Sequence, residues 1–140
     1  MGAKVSRESL GPAPPNFIVQ TLVPQLDVLR RATVFLTHGG MNSASESLYY
    51  GVPVVVVPQM SEQAIVGRRV EVLGAGLYFA NEDDTAEKLR ESVLRLLTES
   101  RFRRQAAVVR ESFKTAGGIA RAADAILPFT REWGRVSPSN

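Results

Sequence analysis

The chain has 140 residues, 44% of them hydrophobic and 22% charged, with no cysteine and a formal net charge of +3. That is the make-up of one globular domain with an ordinary core, and it excludes disulfides, thiolate chemistry and cysteine-based zinc sites. The charge excess is too small and the arginines too scattered for a nucleic-acid partner, no apolar run is long enough to cross a membrane, and without a signal-peptide core the expected location is the cytoplasm.

Residues 1–15 are rich in glycine and proline and read as a loop remnant. Residues 16–22, NFIVQTL, have the β-branched, apolar character of a strand. Pro24 ends that run and starts a short helical turn to residue 31. Residues 34–37 form the next strand, residues 42–50 a helix closed by Gly51. Residues 54–57 are four valines, as in a parallel strand covered on both faces. A helix over 61–73 takes Ser61 as N-cap and Gly74 beyond its end. Residues 76–80 make a fourth strand. Asp84 and Glu87 form a variant capping box, opening a helix with Leu89, Val93, Leu96 and Leu97 on one face. Phe102, Ala106, Val109 and Phe113 repeat that spacing, Gly117-Gly118 breaks it, and Ile119, Ala122, Ala123 and Ile126 mark a last helix. The period stops at Pro128, and residues 131–140 read as a tail.

Alternating strands and helices predict an α/β fold, a parallel sheet with flanking helices and right-handed crossovers. With no repeat and no internal linker, residues 16–130 read as one domain. Ligands of such sheets bind beyond the carboxyl ends of the strands, which is where Gln25, His38 and Gln59 fall.

The segment 35–63, FLTHGGMNSASESLYYGVPVVVVPQMSEQ, is the most informative part of the chain. A strand runs through Thr37 and His38 into Gly39-Gly40, and a helix begins directly after. A helix start offers unpaired N–H groups and the positive end of a dipole to phosphate. The two glycines let a ligand reach the backbone with no Cβ in the way. His38, Asn42 and Ser43 add side-chain donors there; Asn42 and Ser43 also suit a plain capping role, and the two roles can coexist.

The ordered set H-G-G-M-N-S-x-x-E, G-V-P and P-Q-x-x-E-Q, with Pro24-Gln25 before it and Gly117-Gly118 after it, resembles the donor-binding signature of nucleotide-sugar glycosyltransferases. The resemblance is to enzymes of the GT-B fold, of the bacterial macrolide and flavonoid type, and covers residues 14–127. It implies a Rossmann-like domain that is one half of a GT-B fold, binding a UDP- or dTDP-sugar. By matching position, His38 and the backbone and side chains of Gly39, Gly40, Asn42 and Ser43 would hold the diphosphate, and Glu46 the ribose hydroxyls. Gln25 would meet the base, and Glu62 and Gln63 the transferred sugar. Leu22 stands where many relatives stack a Trp on the base, and Glu62 where Asp is more frequent. Members of this group need no metal cofactor, and no D-x-D-like motif precedes the nucleotide segment.

The resemblance also implies an N-terminal acceptor-binding domain, which carries the catalytic base, and further strands before residue 16. The single histidine, His38, sits at the phosphate position, so no catalytic residue is expected in this chain. Without those strands, 16–22 and 34–37 would pair directly, another chain would fill the space, or an edge would be left open, which favours self-association. Three readings follow: the donor half of an inverting hexosyltransferase completed in cis or trans, a non-catalytic nucleotide-sugar-binding module, and an inactive fragment. A nucleotide-sugar epimerase of the same fold fits the Pro24-Gln25 and Glu62-Gln63 pairs less well.

Overall fold

The computed structural model describes residues 11–79 and 85–133. In chain order the elements are α1 (Gln25–Leu29), β1 (Phe35–Thr37), α2 (Met41–Tyr49), β2 (Val54–Val56), α3 (Ser61–Val72), β3 (Gly76–Tyr78), α4 (Ala86–Thr98), α5 (Ser100–Thr115) and α6 (Gly118–Trp133). The strands form one parallel sheet in the order β1-β2-β3, registered with Phe35 beside Val54 and Val54 beside Gly76. The expected α/β architecture is therefore present.

The valine run is central for the reason its composition suggested. Val54, Val55 and Val56 have no exposed surface, and successive side chains point to opposite faces. Val54 and Val56 join Leu48 of α2, Val70 of α3 and Ala106 of α5. Val55 faces the other way, into Phe79, Leu96 of α4 and Phe102 of α5. Each such valine contributes about 1.5–3 kcal/mol relative to exposure. Together they pin the strand ends from which the functional loops leave.

Residues 16–22 correct an expectation. They are not part of the sheet, and Phe17, Ile18 and Leu22 are 62%, 89% and 89% exposed. Strand propensity is realised only through a ladder with a neighbour, and β1 pairs only with β2 among the described residues. Direct pairing of 16–22 with β1, one of the three ways of closing the sheet, is therefore not the one adopted, and Leu36 of β1 is 46% exposed.

Other boundaries shift by a residue or two. Gly51 takes the left-handed φ of 73° that ends α2, as expected. Met60, not Ser61, is the N-cap of α3. The expected box at Asp84 lies outside the described residues; the N-cap of α4 is Thr85, whose hydroxyl oxygen accepts from Lys88 N at 3.2 Å. Leu97 is 49% exposed, because it lies roughly 80° round the helix from Leu89, at the margin of the apolar stripe. The period does not stop at Pro128: α6 continues through it to Trp133. Pro128 removes one N–H from the ladder, but this helix is exposed, so water can satisfy the freed carbonyl.

Replacing Thr85 by Ala is expected to lower stability by about 1 kcal/mol, the usual effect of losing an N-cap. A urea titration would show a lower midpoint with an unchanged slope. The turn after β1 should be unaffected, since α4 packs on the Val55 face of the sheet.

Candidate functional site

The turn after β1 has little freedom. Thr37 is buried, and its Oγ1 accepts from Gly39 N at 3.3 Å. Gly39 has φ 91°, and a Cβ there would lie 2.6 Å from Val56 Cγ1 and 3.1 Å from Gln63 O. Only glycine fits both demands. The same contact shows that the first turn of α3 is packed against the Gly39 turn.

Gly40 is the N-cap of α2 and supplies no side-chain hydrogen bond. A Cβ on Gly40 would lie 2.9 Å from His38 Nε2, so the exposed imidazole lies beside the helix start. No side chain caps the amides of the first turn, and they lie beside a ring that can donate a further hydrogen bond. That is an anion-receiving arrangement.

Asn42 and Ser43 occupy the second and third positions of α2, past the cap. The plain capping role foreseen for them is therefore filled by Gly40 instead. Ser43 and Glu46, one turn apart on α2, are both half-buried, while Asn42 is exposed. Gln25, the first residue of α1, reaches both: its Nε2 donates to Ser43 Oγ at 3.2 Å and to Glu46 Oε2 at 2.6 Å. Leu29, buried to 1% exposure, anchors α1 beside α2.

On α3, Gln63 accepts through Oε1 from Gln59 N at 2.8 Å. Its carbonyl is committed to the helix entry, leaving its NH2 as the free group. Glu62 is exposed in the same first turn. Leu22 lies on the exposed segment before α1. The structure thus gathers Gln25, His38, Gly39, Gly40, Ser43, Glu46 and Gln63 at the carboxyl ends of β1 and β2. Leu22, Asn42 and Glu62 stand at the solvent margin. Three features escaped the sequence reading: the brace from Thr37, the Gln25 bridge to Ser43 and Glu46, and the Gln59–Gln63 bond. A hydroxyl residue two before a strained glycine was the available signal for the first.

The model of the erythromycin biosynthesis protein CIII-like C-terminal domain matches residues 3–118. The chain belongs to this family. Its fold agrees with that of glycosyltransferase C-terminal domains. The calicheamicin glycosyltransferase CalG4 superposes on 98% of this chain and 34% of its own, with a TM-score of 0.82 and 33% identity. The glycosyltransferase VinC, solved in complex with dTDP, superposes on 86% of this chain and 33% of its own, with a TM-score of 0.73 and 27% identity. Among curated proteins, the NDP-glycosyltransferase YjiC of Bacillus licheniformis is 44% identical over 129 residues, covering 92% of this chain and 33% of that protein. This CIII-like C-terminal domain therefore spans about a third of the length of such relatives. Its last helix, α6, begins where the matched region ends. Among the described residues no helix is long and apolar enough to cross a membrane.

Proposed function

We propose that this chain forms the nucleotide-sugar donor site of an inverting hexosyltransferase. The observation that carries the reading is the uncapped start of α2 beneath His38, with Ser43 and Glu46 following on the same helix. The donor is a UDP- or dTDP-sugar. Its diphosphate sits on the amides that follow Gly40, with His38, Asn42 and Ser43 as side-chain donors. Glu46, a half-buried carboxylate already held on one oxygen, suits the vicinal hydroxyls of ribose. Glu62 and the free NH2 of Gln63 face the transferred sugar. Leu22 lies toward the base. The dTDP found with VinC supports a nucleoside diphosphate as the ligand class.

In the reaction, an acceptor hydroxyl oxygen attacks the anomeric carbon from the face opposite the diphosphate. The carbon–oxygen bond to the diphosphate breaks, and the leaving group takes the electron pair. Helix amides and His38 are fixed donors at the oxygens where that charge develops, so they strengthen as the bond breaks. The acceptor proton goes to a base on an acceptor-binding domain, present in cis or trans. A second reading, a nucleotide-sugar-binding module or inactive fragment, is favoured by one observation: the single histidine lies at the phosphate turn, and none remains to act as base.

Calorimetric titration with UDP, UDP-glucose and dTDP tests the proposal. Saturable binding by the chain is expected, weakened about ten- to a hundredfold by His38→Ala, the scale of one hydrogen bond to a charged group. A folded chain that ignores all three ligands would sink the donor-site reading. Sugar transfer by the isolated chain would sink the second one.

A further inference from the structure

We infer that Gln25 is a positioning residue, setting the hydrogen-bond polarity of Ser43 and Glu46 and acting on the nucleotide through them. The inference rests on the donor-site reading and deepens it. One amide nitrogen donates to two acceptors one turn apart on α2, Ser43 Oγ at 3.2 Å and Glu46 Oε2 at 2.6 Å. A side-chain amide nitrogen carries two hydrogens. Both are spent on α2, so the nitrogen has no donor left for a base.

The consequence for the two acceptors is specific. A hydroxyl that accepts from Gln25 keeps its own hydrogen to give, and in Ser43 that hydrogen is available to a diphosphate oxygen. A carboxylate tied down at Oε2 keeps Oε1 as an acceptor, and in Glu46 that oxygen is available to a ribose hydroxyl. Take Gln25 away and a different pairing becomes open. Ser43 and Glu46 are three residues apart on one helical face, close enough for the hydroxyl to donate to the carboxylate. That bond would turn the Ser43 hydrogen away from the diphosphate and occupy the oxygen meant for ribose. Gln25 disfavours it, because its nitrogen stands between the two groups and already satisfies Glu46 at Oε2, which weakens the carboxylate's pull on the Ser43 hydrogen. The bond to Glu46 is charge-assisted and therefore the stronger of the two. The side chain is delivered by a short helix whose Leu29 is buried, so the bridge exists before any ligand arrives.

The test uses the whole chain with UDP and 2′,3′-dideoxy-UDP as probes, and the variants Gln25→Ala, Glu46→Ala and their combination. In the ligand-free protein, the Gln25 side-chain amide should give a pair of 1H–15N resonances displaced from the solvent position. The pair should move back toward that position in Glu46→Ala. Gln25→Ala should weaken UDP roughly tenfold, and only slightly further when Glu46 is already Ala. The loss should shrink with the dideoxy nucleotide, which lacks the hydroxyls Glu46 receives, whereas a general structural defect would weaken both nucleotides alike. Losses that multiply independently would show Gln25 meeting the nucleotide by itself and overturn the inference, as would an amide at the solvent position in the free chain. If the amide is displaced but neither nucleotide binds, the donor-site reading has failed and takes this inference with it. The resonance separates that case from a missing bridge.

Discussion

Gly39→Ala is expected to remove nucleotide binding and to destabilise the chain, whereas Gly40→Ala, one residue on, weakens binding about as much as His38→Ala and leaves the fold standing. At Gly39 the backbone has φ 91°, and an added methyl meets Val56 Cγ1 at 2.6 Å and Gln63 O at 3.1 Å. The left-handed conformation costs a non-glycine residue about 1–2 kcal/mol, and overpacking costs about 1–3 kcal/mol more. Neither neighbour can yield cheaply, since Val56 is fully buried in the central strand and Gln63 O is backbone of α3. The relief is a shift of the turn, which carries His38 and the start of α2 away from each other. At Gly40, φ is −57°, a value any residue adopts. The added methyl meets only His38 Nε2, at 2.9 Å, and that ring is exposed and able to swing aside. The cap change costs less than about 1–2 kcal/mol, but the imidazole leaves the diphosphate. Urea unfolding alongside UDP titration reads both effects. Equal stability losses in the two variants would contradict this account of the turn.

Gly76→Ala is expected to prevent cooperative folding. A Cβ at Gly76 would sit 2.0 Å from Val54 O and 2.7 Å from Val70 Cγ1. The first contact is with a backbone carbonyl of the central strand, and the second with a buried side chain of α3. Relief requires β3 to part from β2, which would break the bonds from Val54 N to Ala75 O at 3.2 Å and from Phe79 N to Val56 O at 2.9 Å. With a total stability of about 5–15 kcal/mol for a domain of this size, such a rupture leaves little. A circular dichroism melt without a transition is the expected result. A Gly76→Ala protein that melts cooperatively within about 1 kcal/mol of wild type, a small change on the usual scale, would mean the β2–β3 approach is looser than described.

The turn chemistry of the site was readable because it is local. A strand, two glycines and a helix start fall within six residues, and the phosphate-receiving geometry follows from backbone rules acting over that span. The valine run announced a strand buried on both faces, and it is one. Residues 16–22 carry the same kind of local signal and form no strand, because pairing is not a property of the segment but of its neighbour. Pro128 misled in the opposite sense: local rules end a helix there, yet α6 absorbs it where solvent is at hand.

The sequence by itself determined the fold class, the strand–glycine–helix turn and the membership of the glycosyltransferase C-terminal domains, since each is written in short-range pattern and residue order. The tertiary structure decided how the candidate residues relate to one another. Gln25 and Glu46 are 21 positions apart, and nothing in their spacing requires a 2.6 Å bond. Gly39 and Gln63 meet only because α3 packs down on the turn. Those relations arise from side-chain burial across elements, which fixes distances that no local rule along the chain can specify.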